Sequence, residues 1–249
     1  MSALYTNLSE VYEAMYQTFI NYEDEFNFYS ALLKKYNCQS VLEIGCGTGN
    51  LAHRFKTNQF DYTGLDLSAD MLDIAKRNNP STNFEKGDMR SFDLPKPVQS
   101  CIITGRSISY LVTDEDVQDS FRSIHKNLTT KPGVLCFDFI DASKFIPLIK
   151  NGKKVTHEAV VKNKKYHRES FWKIGSRQNG SFDWRSVFYE EADGSLKNIG
   201  EDQSTIRSFT RDEMITFLQL SGFQVKEIIP RHSYAFDTLV IAAEKVFGS

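Results

Sequence analysis

Apolar residues recur along this 249-residue chain with two periods, and the switches between them mark its elements. Residues 8 to 36 are spaced helically in two stretches. Leu8, Val11, Tyr12, Met15 and Phe19 share one face, and Phe26, Tyr29, Leu32, Leu33 and Tyr36 share another, with a break near Asn21. Val41, Leu42 and Ile44 then form a short apolar run that reads as a buried strand. Comparable strand signals at 62–66, 84–88, 100–104 and 134–139 alternate with helical patterns at 51–56, 68–77 and 114–128. Ser68 is placed to cap its helix, and His125 and Lys126 suit the negative end of theirs. Strands alternating with helices predict an open α/β sheet covered on both faces, which presents a ligand crevice at the carboxyl edge of its strands.

The pattern changes after the fifth strand. From 153 to 208, β-prone residues such as Trp172, Ile174, Phe182, Trp184, Val187 and Phe188 are interrupted by Lys162-Asn163-Lys164, Gln178-Asn179-Gly180 and Ala192-Asp193-Gly194-Ser195. These turn signals predict an inserted antiparallel sheet of about four strands. A helix at 211–221 follows, stopped by Gly222, and strands at 223–229 and 238–244 complete the fold. The chain thus divides into a main domain, 1–151 with 208–249, and an inserted sheet, 152–207.

With 41% hydrophobic and 25% charged residues, the composition is that of an ordinary globular protein. A net charge of −2 carries no electrostatic footprint for nucleic acid, so a small-molecule partner is expected. Cys38, Cys46, Cys101 and Cys136 form no C-x-x-C pair and read as buried, reduced thiols, with no zinc or other metal site. The first residues lack a basic segment followed by an apolar core, and no apolar run reaches the length of a membrane span. A cytoplasmic monomer or homodimer that binds neither membrane nor nucleic acid is expected.

Chemistry gathers at the predicted carboxyl edge. Val41-Leu42-Glu43-Ile44-Gly45-Cys46-Gly47-Thr48-Gly49-Asn50 is a strand that ends in an acid and opens into a three-glycine turn. Glycine there permits a positive φ or close approach of the backbone to a ligand, which predicts a crevice over Gly45, Gly47 and Gly49. Asn50 breaks the G-x-G-x-x-G spacing of a dinucleotide site, and Glu43 would repel a phosphate while suiting a cationic ligand. Asp66 ends the second strand 23 residues after Glu43, where an acid is placed to accept hydrogen bonds from ribose hydroxyls. Asp88, within Gly87-Asp88-Met89-Arg90, reaches the same edge and is able to accept from an adenine amino group.

Together E-x-G-x-G-x-G, the acid within L-D-L-S-x-x-M-L, and G-D-M-R resemble the class I S-adenosylmethionine-dependent methyltransferases, closely over residues 40 to 140 and loosely over the last strands. The resemblance implies a Rossmann-like seven-stranded sheet and S-adenosyl-L-methionine as cofactor, with S-adenosyl-L-homocysteine as product. It implies glycine-loop contacts from Glu43, Gly45, Cys46, Gly47, Gly49 and Asn50 to the methionine part, and a ribose contact from Asp66 flanked by Leu67 and Met71. It further implies an adenine contact at Gly87, Asp88 and Met89, with Thr104 and Arg106 at the exit of strand four. N-terminal helices in related enzymes fold over the cofactor, so Tyr12, Tyr16 or Tyr22 is expected to face the site. The G-D-M-R string and the plan as a whole look most like nucleotide-linked amino-sugar N-methyltransferases and glycine or sarcosine methyltransferase relatives.

The implied reaction is methyl transfer to a small-molecule amine or hydroxyl acceptor, for which the protein chiefly aligns the partners and excludes water. The sequence demands no single catalytic base. His157, His167, Glu201, His232 and Tyr234 are candidates, each more readily explained as a solvated or structurally paired residue, and the same holds for Tyr110 as a packed ring. The inserted sheet is expected to close over the acceptor with Trp172, Phe182, Trp184, Phe188 and Tyr189. The competing readings are a non-catalytic S-adenosylmethionine-binding regulatory module and a nicotinamide oxidoreductase.

Overall fold

The computed structural model describes residues 9–150, 154–174, 179–232 and 237–246. Two helices lead the chain, α1 (Ser9–Phe19) and α2 (Tyr22–Lys35), and the break between them is Asn21, whose side chain accepts from the backbone N–H groups of Glu23 and Asp24. The alternating segment follows as β1 (Ser40–Ile44), α3 (Ala52–Thr57), β2 (Asp61–Asp66), α4 (Ala69–Asn78), β3 (Asn83–Lys86), β4 (Ser100–Ile103), α5 (Asp114–Asn127) and β5 (Val134–Ile140). After the insertion come α7 (Arg211–Leu220), β10 (Phe223–Arg231) and β11 (Thr238–Lys245). These strands form a seven-stranded sheet in the order β10-β11-β5-β4-β1-β2-β3, parallel except for β11 and β10.

Both faces of this sheet are dry. Leu42, Ile44, Cys101, Ile103, Leu135, Phe137 and Phe139 meet α5 and α7 on one side. Val41, Ile102, Val134 and Cys136, the alternate residues of the same strands, meet α2, α3 and α4 on the other. This two-sided burial explains the continuous apolar runs, and each fully buried large side chain contributes roughly 1.5–3 kcal/mol. All four cysteines are buried and free.

Between β5 and the inserted sheet lies α6 (Ala142–Lys150), a helix that the hydrophobic pattern did not predict. It contains Pro147, which ordinarily ends a helix, and it spans 9 residues. Asp141 starts it by accepting from the Ser143 N–H at 3.0 Å and the Ser143 hydroxyl at 2.6 Å. Phe145 and Ile149, one turn apart, then bury themselves against Trp172, Phe182 and Ile206.

β6 (Lys154–Val161), β7 (Lys164–Ile174), β8 (Ser181–Ala192) and β9 (Ser195–Arg207) form a separate antiparallel four-stranded sheet. Two of its hairpins turn where the sequence signalled, with positive φ at Lys162 and Asn163 and at Asp193 and Gly194, while Gln178 of the remaining signal lies outside the described residues. The chain leaves and rejoins the main sheet at one point. Phe209 N–H donates to the Ile140 carbonyl at 3.0 Å, and Ala142 N–H to the Phe209 carbonyl at 2.9 Å. Arg207, buried, pairs with Asp114 at 2.6 Å and Glu213 at 3.0 Å, tying β9 to the starts of α5 and α7. The N-terminal helix α1 lies on the small sheet, where Met15 packs with Ala159 and Phe188.

Candidate functional site

A cavity of about 440 Å³ opens where the carboxyl ends of β1, β2, β4 and β5 face α1, α2 and the small sheet. The turn after β1 forms its floor. Gly45 has φ +72°, and a Cβ built there would lie 2.6 Å from the Ser107 hydroxyl oxygen, so no other residue fits without displacing that side chain. Gly47, at φ +54°, meets nothing within 4 Å where its Cβ would project, and the same is true of Gly105 at φ +62°. These two glycines leave a cradle that side chains would fill.

Asp66, at the end of β2, is held by this turn. Its Oδ2 accepts from the Gly47 N–H and its Oδ1 from the Ser68 N–H, both at 2.8 Å. Burial raises its carboxyl above the ordinary value, and the backbone donors of Ser68, Gly47 and Leu67 oppose that rise. Ser68 caps α4 through the Met71 N–H at 3.3 Å, which sets the buried Met71 against the cavity beside the exposed Leu67.

Glu43 is buried beneath the glycine turn. Its oxygens accept from the Tyr62 hydroxyl at 2.6 Å and the Thr104 hydroxyl at 3.0 Å. Burial pushes its carboxyl up to about 7, against the pull of those two donors. Gly105 and Arg106, both left-handed, then redirect the chain into a 3₁₀ turn, Ser107–Tyr110. The Arg106 N–H donates to Asp138 Oδ1 at 2.8 Å, and burial pushes the Asp138 carboxyl up to about 6.

Glu43, Gly45, Cys46, Gly47, Asn50, Asp66, Leu67, Met71, Gly87, Asp88, Met89, Thr104 and Arg106 all line the cavity. Gly49 does not. A Cβ there would approach Asn79 and Phe84 at 3.0 Å and Ala75 at 3.1 Å, so its absent side chain serves the packing of α4 and β3 against the turn. Asp88 lines the wall but its carboxylate is gripped by Arg90, Nη2 to Oδ2 at 2.6 Å, which holds it below the ordinary carboxylate range. Tyr16 and Tyr22 of the N-terminal helices also reach the wall. The Tyr12 side chain lies outside the described residues.

None of the four described base candidates lines the cavity. His157 sits 4.4 Å from the Phe19 ring and 3.1 Å from Arg168 Nη2, and burial with that arginine lowers it to about 4. His167 lies between Glu158 at 3.1 Å and Glu191 at 2.8 Å, Glu201 pairs with Arg185 at 2.8 Å, and His232 pairs with Asp237 at 2.6 Å. Tyr234 lies outside the described residues. Of the five rings expected to wall the acceptor, Trp184 alone lines the cavity, with Ser204 and Ile206. Trp172 and Phe182 are spent on α6 and Phe188 on α1, because the small sheet must bury its own inner face.

Three charged wall residues escaped the sequence reading: Glu25, Asp138 and Arg231. Arg231 pairs with Glu25 at 2.8 Å and its guanidinium lies 4.4 Å from the Phe28 ring centroid. Asp138 carried a usable signal, an acid within the apolar run of β5, the same pattern that marked Glu43 and Asp66.

Among the described residues the lining holds five carboxylates, Glu25, Glu43, Asp66, Asp88 and Asp138, against Arg90, Arg106 and Arg231. Arg90 is engaged by Asp88 and Asp116, Arg231 by Glu25, and Arg106 faces Asp138. Such a donor set, with the open glycine cradle, fits a ligand that brings positive charge and hydroxyl hydrogens, and offers no nest of spare cations to a pyrophosphate.

A family profile described as "Methyltransferase domain" matches residues 41–132. The dTDP-3-amino-3,4,6-trideoxy-alpha-D-glucopyranose N,N-dimethyltransferase of Streptomyces venezuelae is 34% identical over 94 residues, 38% of this chain and 39% of that relative, so the match spans about two fifths of its length. The dTDP-4-amino-2,3,4,6-tetradeoxy-D-glucose N,N-dimethyltransferase of Saccharopolyspora spinosa is 26% identical over 188 residues, 76% of this chain and 72% of that one. The crystal structure of Streptomyces venezuelae DesVI superposes with a TM-score of 0.77 at 22% identity, over 95% of this chain and 98% of the other. Among the described residues no helix is long and apolar enough to cross a membrane.

Proposed function

We propose that this chain is a class I S-adenosylmethionine-dependent methyltransferase, a reading supported by the methyltransferase profile over residues 41–132 and by the matching relatives, and that it methylates the nitrogen of a small-molecule amine, with an amino sugar as the acceptor class. The observation that carries this reading is the arrangement of acids along the sheet edge. Asp66 ends β2 and Asp138 lies near the end of β5, three strand spacings away in the order β2-β1-β4-β5, or about 14 Å. Both acids line the cavity, and Ile140, two residues beyond Asp138 on β5, packs in one cluster with Trp184, which also lines it.

S-adenosylmethionine, when bound, supplies a methyl group activated on a sulfonium. The chain's residues have the complementary tasks. Asp66, already fixed by two backbone donors, retains lone pairs for ribose hydroxyls. Gly47 and Gly105 leave room for backbone approach, and Glu43 offers negative charge to a cationic amino group. Leu67, Met71 and Met89 provide apolar surface for a base, beside Asp88. Trp184, Ile206 and Ile140 exclude water from the acceptor end, and Tyr16 and Tyr22 cover it from α1 and α2. Alignment in a dry site supplies much of what an in-line displacement needs. The small sheet, in this reading, is the acceptor-side cap, and the four free thiols support a cytoplasmic setting.

The test is binding followed by turnover. S-adenosylhomocysteine is expected to bind at about micromolar concentration and NAD not at all. Methyl transfer is then expected to dTDP-3-amino-3,4,6-trideoxy-glucose and not to its 3-hydroxy counterpart. Transfer to the hydroxyl compound alone would remove the amine from the proposal.

The raised carboxyl of Glu43 adds a pH dependence. A cationic ligand favours its charged form, so affinity for S-adenosylhomocysteine should rise about tenfold from pH 6 to pH 8 and level off above 7, as the fraction of carboxylate does around a value of about 7. The sign for stability is opposite. An acid raised on folding contributes fully below its ordinary value of 4.5, and that contribution is lost as pH rises through 7. Calorimetry and melting curves of the wild type and Glu43→Gln check both, since the variant should lack each trend.

A further inference from the structure

Asp138 occupies a position that no wall carboxylate shares. It follows Phe137, which pairs with Ile103, so Asp138 stands abreast of Thr104 at the carboxyl edge of the two central strands. Its side chain is buried yet lines the cavity, and Ile140, two residues along the same strand, lines it too and clusters with Trp184. The described residues give it one hydrogen bond, from the Arg106 N–H to Oδ1. The other acids are more fully committed. Glu43 holds two hydroxyls, Asp66 two backbone N–H groups, Asp88 the Arg90 guanidinium and Glu25 that of Arg231. An oxygen of Asp138 is therefore left to the ligand at the acceptor end.

Resting on the amine reading above, we propose that Asp138 is a catalytic residue that receives the acceptor's ammonium group and takes a proton from its nitrogen. An amine offered as ammonium has no lone pair with which to attack. In this step one N–H bond breaks with its electron pair staying on nitrogen, and the proton forms an O–H bond on the Asp138 carboxylate. The neutral amine then has its lone pair, and the Asp138 carboxylic acid later returns the proton to solvent. Net charge is zero before and after the step, and one proton passes from nitrogen to oxygen.

The surroundings suit this role. Burial makes Asp138 a better proton acceptor than a solvated carboxylate, at about 6. That lies roughly two pH units below an α-amino-like amine, where an ordinary aspartate lies about four below. The charged and titratable groups that face it are Arg106 from the loop after β4, Glu25 and Tyr29 from α2, and Arg231 from β10. Arg106 and Arg231 keep the carboxylate from rising further, and Glu25 offsets them. The Tyr29 hydroxyl is buried with no hydrogen-bond partner among the described residues and interacts electrostatically with Asp138.

The experiment measures binding of dTDP-3-amino-3,4,6-trideoxy-glucose to the protein saturated with S-adenosylhomocysteine, from pH 5 to pH 8. Wild-type affinity should rise about tenfold between pH 5 and pH 7 and then level, following ionisation of the carboxyl. Asp138→Asn, close in shape and able to keep the Arg106 hydrogen bond, should bind the amine at least tenfold more weakly at pH 7.5, with no pH trend. It should bind S-adenosylhomocysteine within threefold of wild type and lose about 100-fold in kcat. Unchanged amine binding by the variant, or a flat wild-type profile from pH 5 to 7, overturns the assignment while leaving amine methylation standing. Loss of S-adenosylhomocysteine and amine binding together would make Asp138 structural and also overturn it. No binding of the probe by the wild type at any pH rejects the amino-sugar reading and this proposal with it. If the variant does not fold, the wild-type profile alone decides.

Discussion

Asp66→Ala is expected to weaken S-adenosylhomocysteine binding by about 30- to 1000-fold, or ~2–4 kcal/mol, in a protein that remains folded. The size comes from two losses. A charged acceptor for ligand hydroxyls is worth about 1.5–3 kcal/mol, and its removal also frees the Gly47 and Ser68 N–H groups that position the glycine turn. The fold should tolerate the change because Asp66 is a buried carboxylate whose ionisation is itself opposed by its surroundings. Calorimetry gives the affinity and a melting curve the stability. Wild-type affinity in the folded variant would take Asp66 out of the ligand site, and a melting temperature lowered by many degrees would make its role structural.

Trp184→Ala should show the opposite division, with S-adenosylhomocysteine binding kept within threefold and kcat/KM for the amine lowered by about 100-fold, or ~2.7 kcal/mol. Trp184 is the ring of the small sheet that faces the cavity, and its indole N–H is buried with no partner among the described residues. An unmet donor of that kind costs about 1–3 kcal/mol unless an acceptor oxygen on the ligand meets it. Trp184→Phe keeps the apolar wall and removes the donor, so a loss of about tenfold is expected. These point changes are cleaner than excising the small sheet. Excision would strip Trp172, Phe182 and Ile206 from Phe145 and Ile149 and expose a core. Full turnover by Trp184→Ala would return the small sheet to a purely structural part.

The cation beside Trp184 shows how the cover is assembled. The Arg168 guanidinium, on β7, lies 5.3 Å from the Tyr16 ring centroid and 5.9 Å from that of Trp184. One buried cation thus bridges a wall residue of α1 and a wall residue of β8. The N-terminal helix and the small sheet, distant in the chain, meet over the cavity through this contact and through Met15 against Phe188.

Local pattern alone determined the main sheet, because each strand buried on both faces must be an apolar run and each covering helix must repeat its apolar residues every three or four positions. It also located the glycine turn, the acids of β1 and β2, and the hairpins of the insertion, all of which depend on φ preference or charge at named positions such as Gly47, Asp66 and Asp193. Tertiary structure decided what distance along the chain conceals. Whether Gly49 faces ligand or Phe84, whether Asp88 is open or held by Arg90, and whether Trp172 or Trp184 reaches the cavity all depend on partners brought in by packing. Helix α6 belongs to the same class, since a 9-residue segment containing Pro147 is helical only because Phe145 and Ile149 have a sheet to bury against. Asp138 does too: its neighbours Arg106, Arg231 and Glu25 come from three other parts of the chain, and only their convergence turns an acid in an apolar strand into a group placed to act on a ligand.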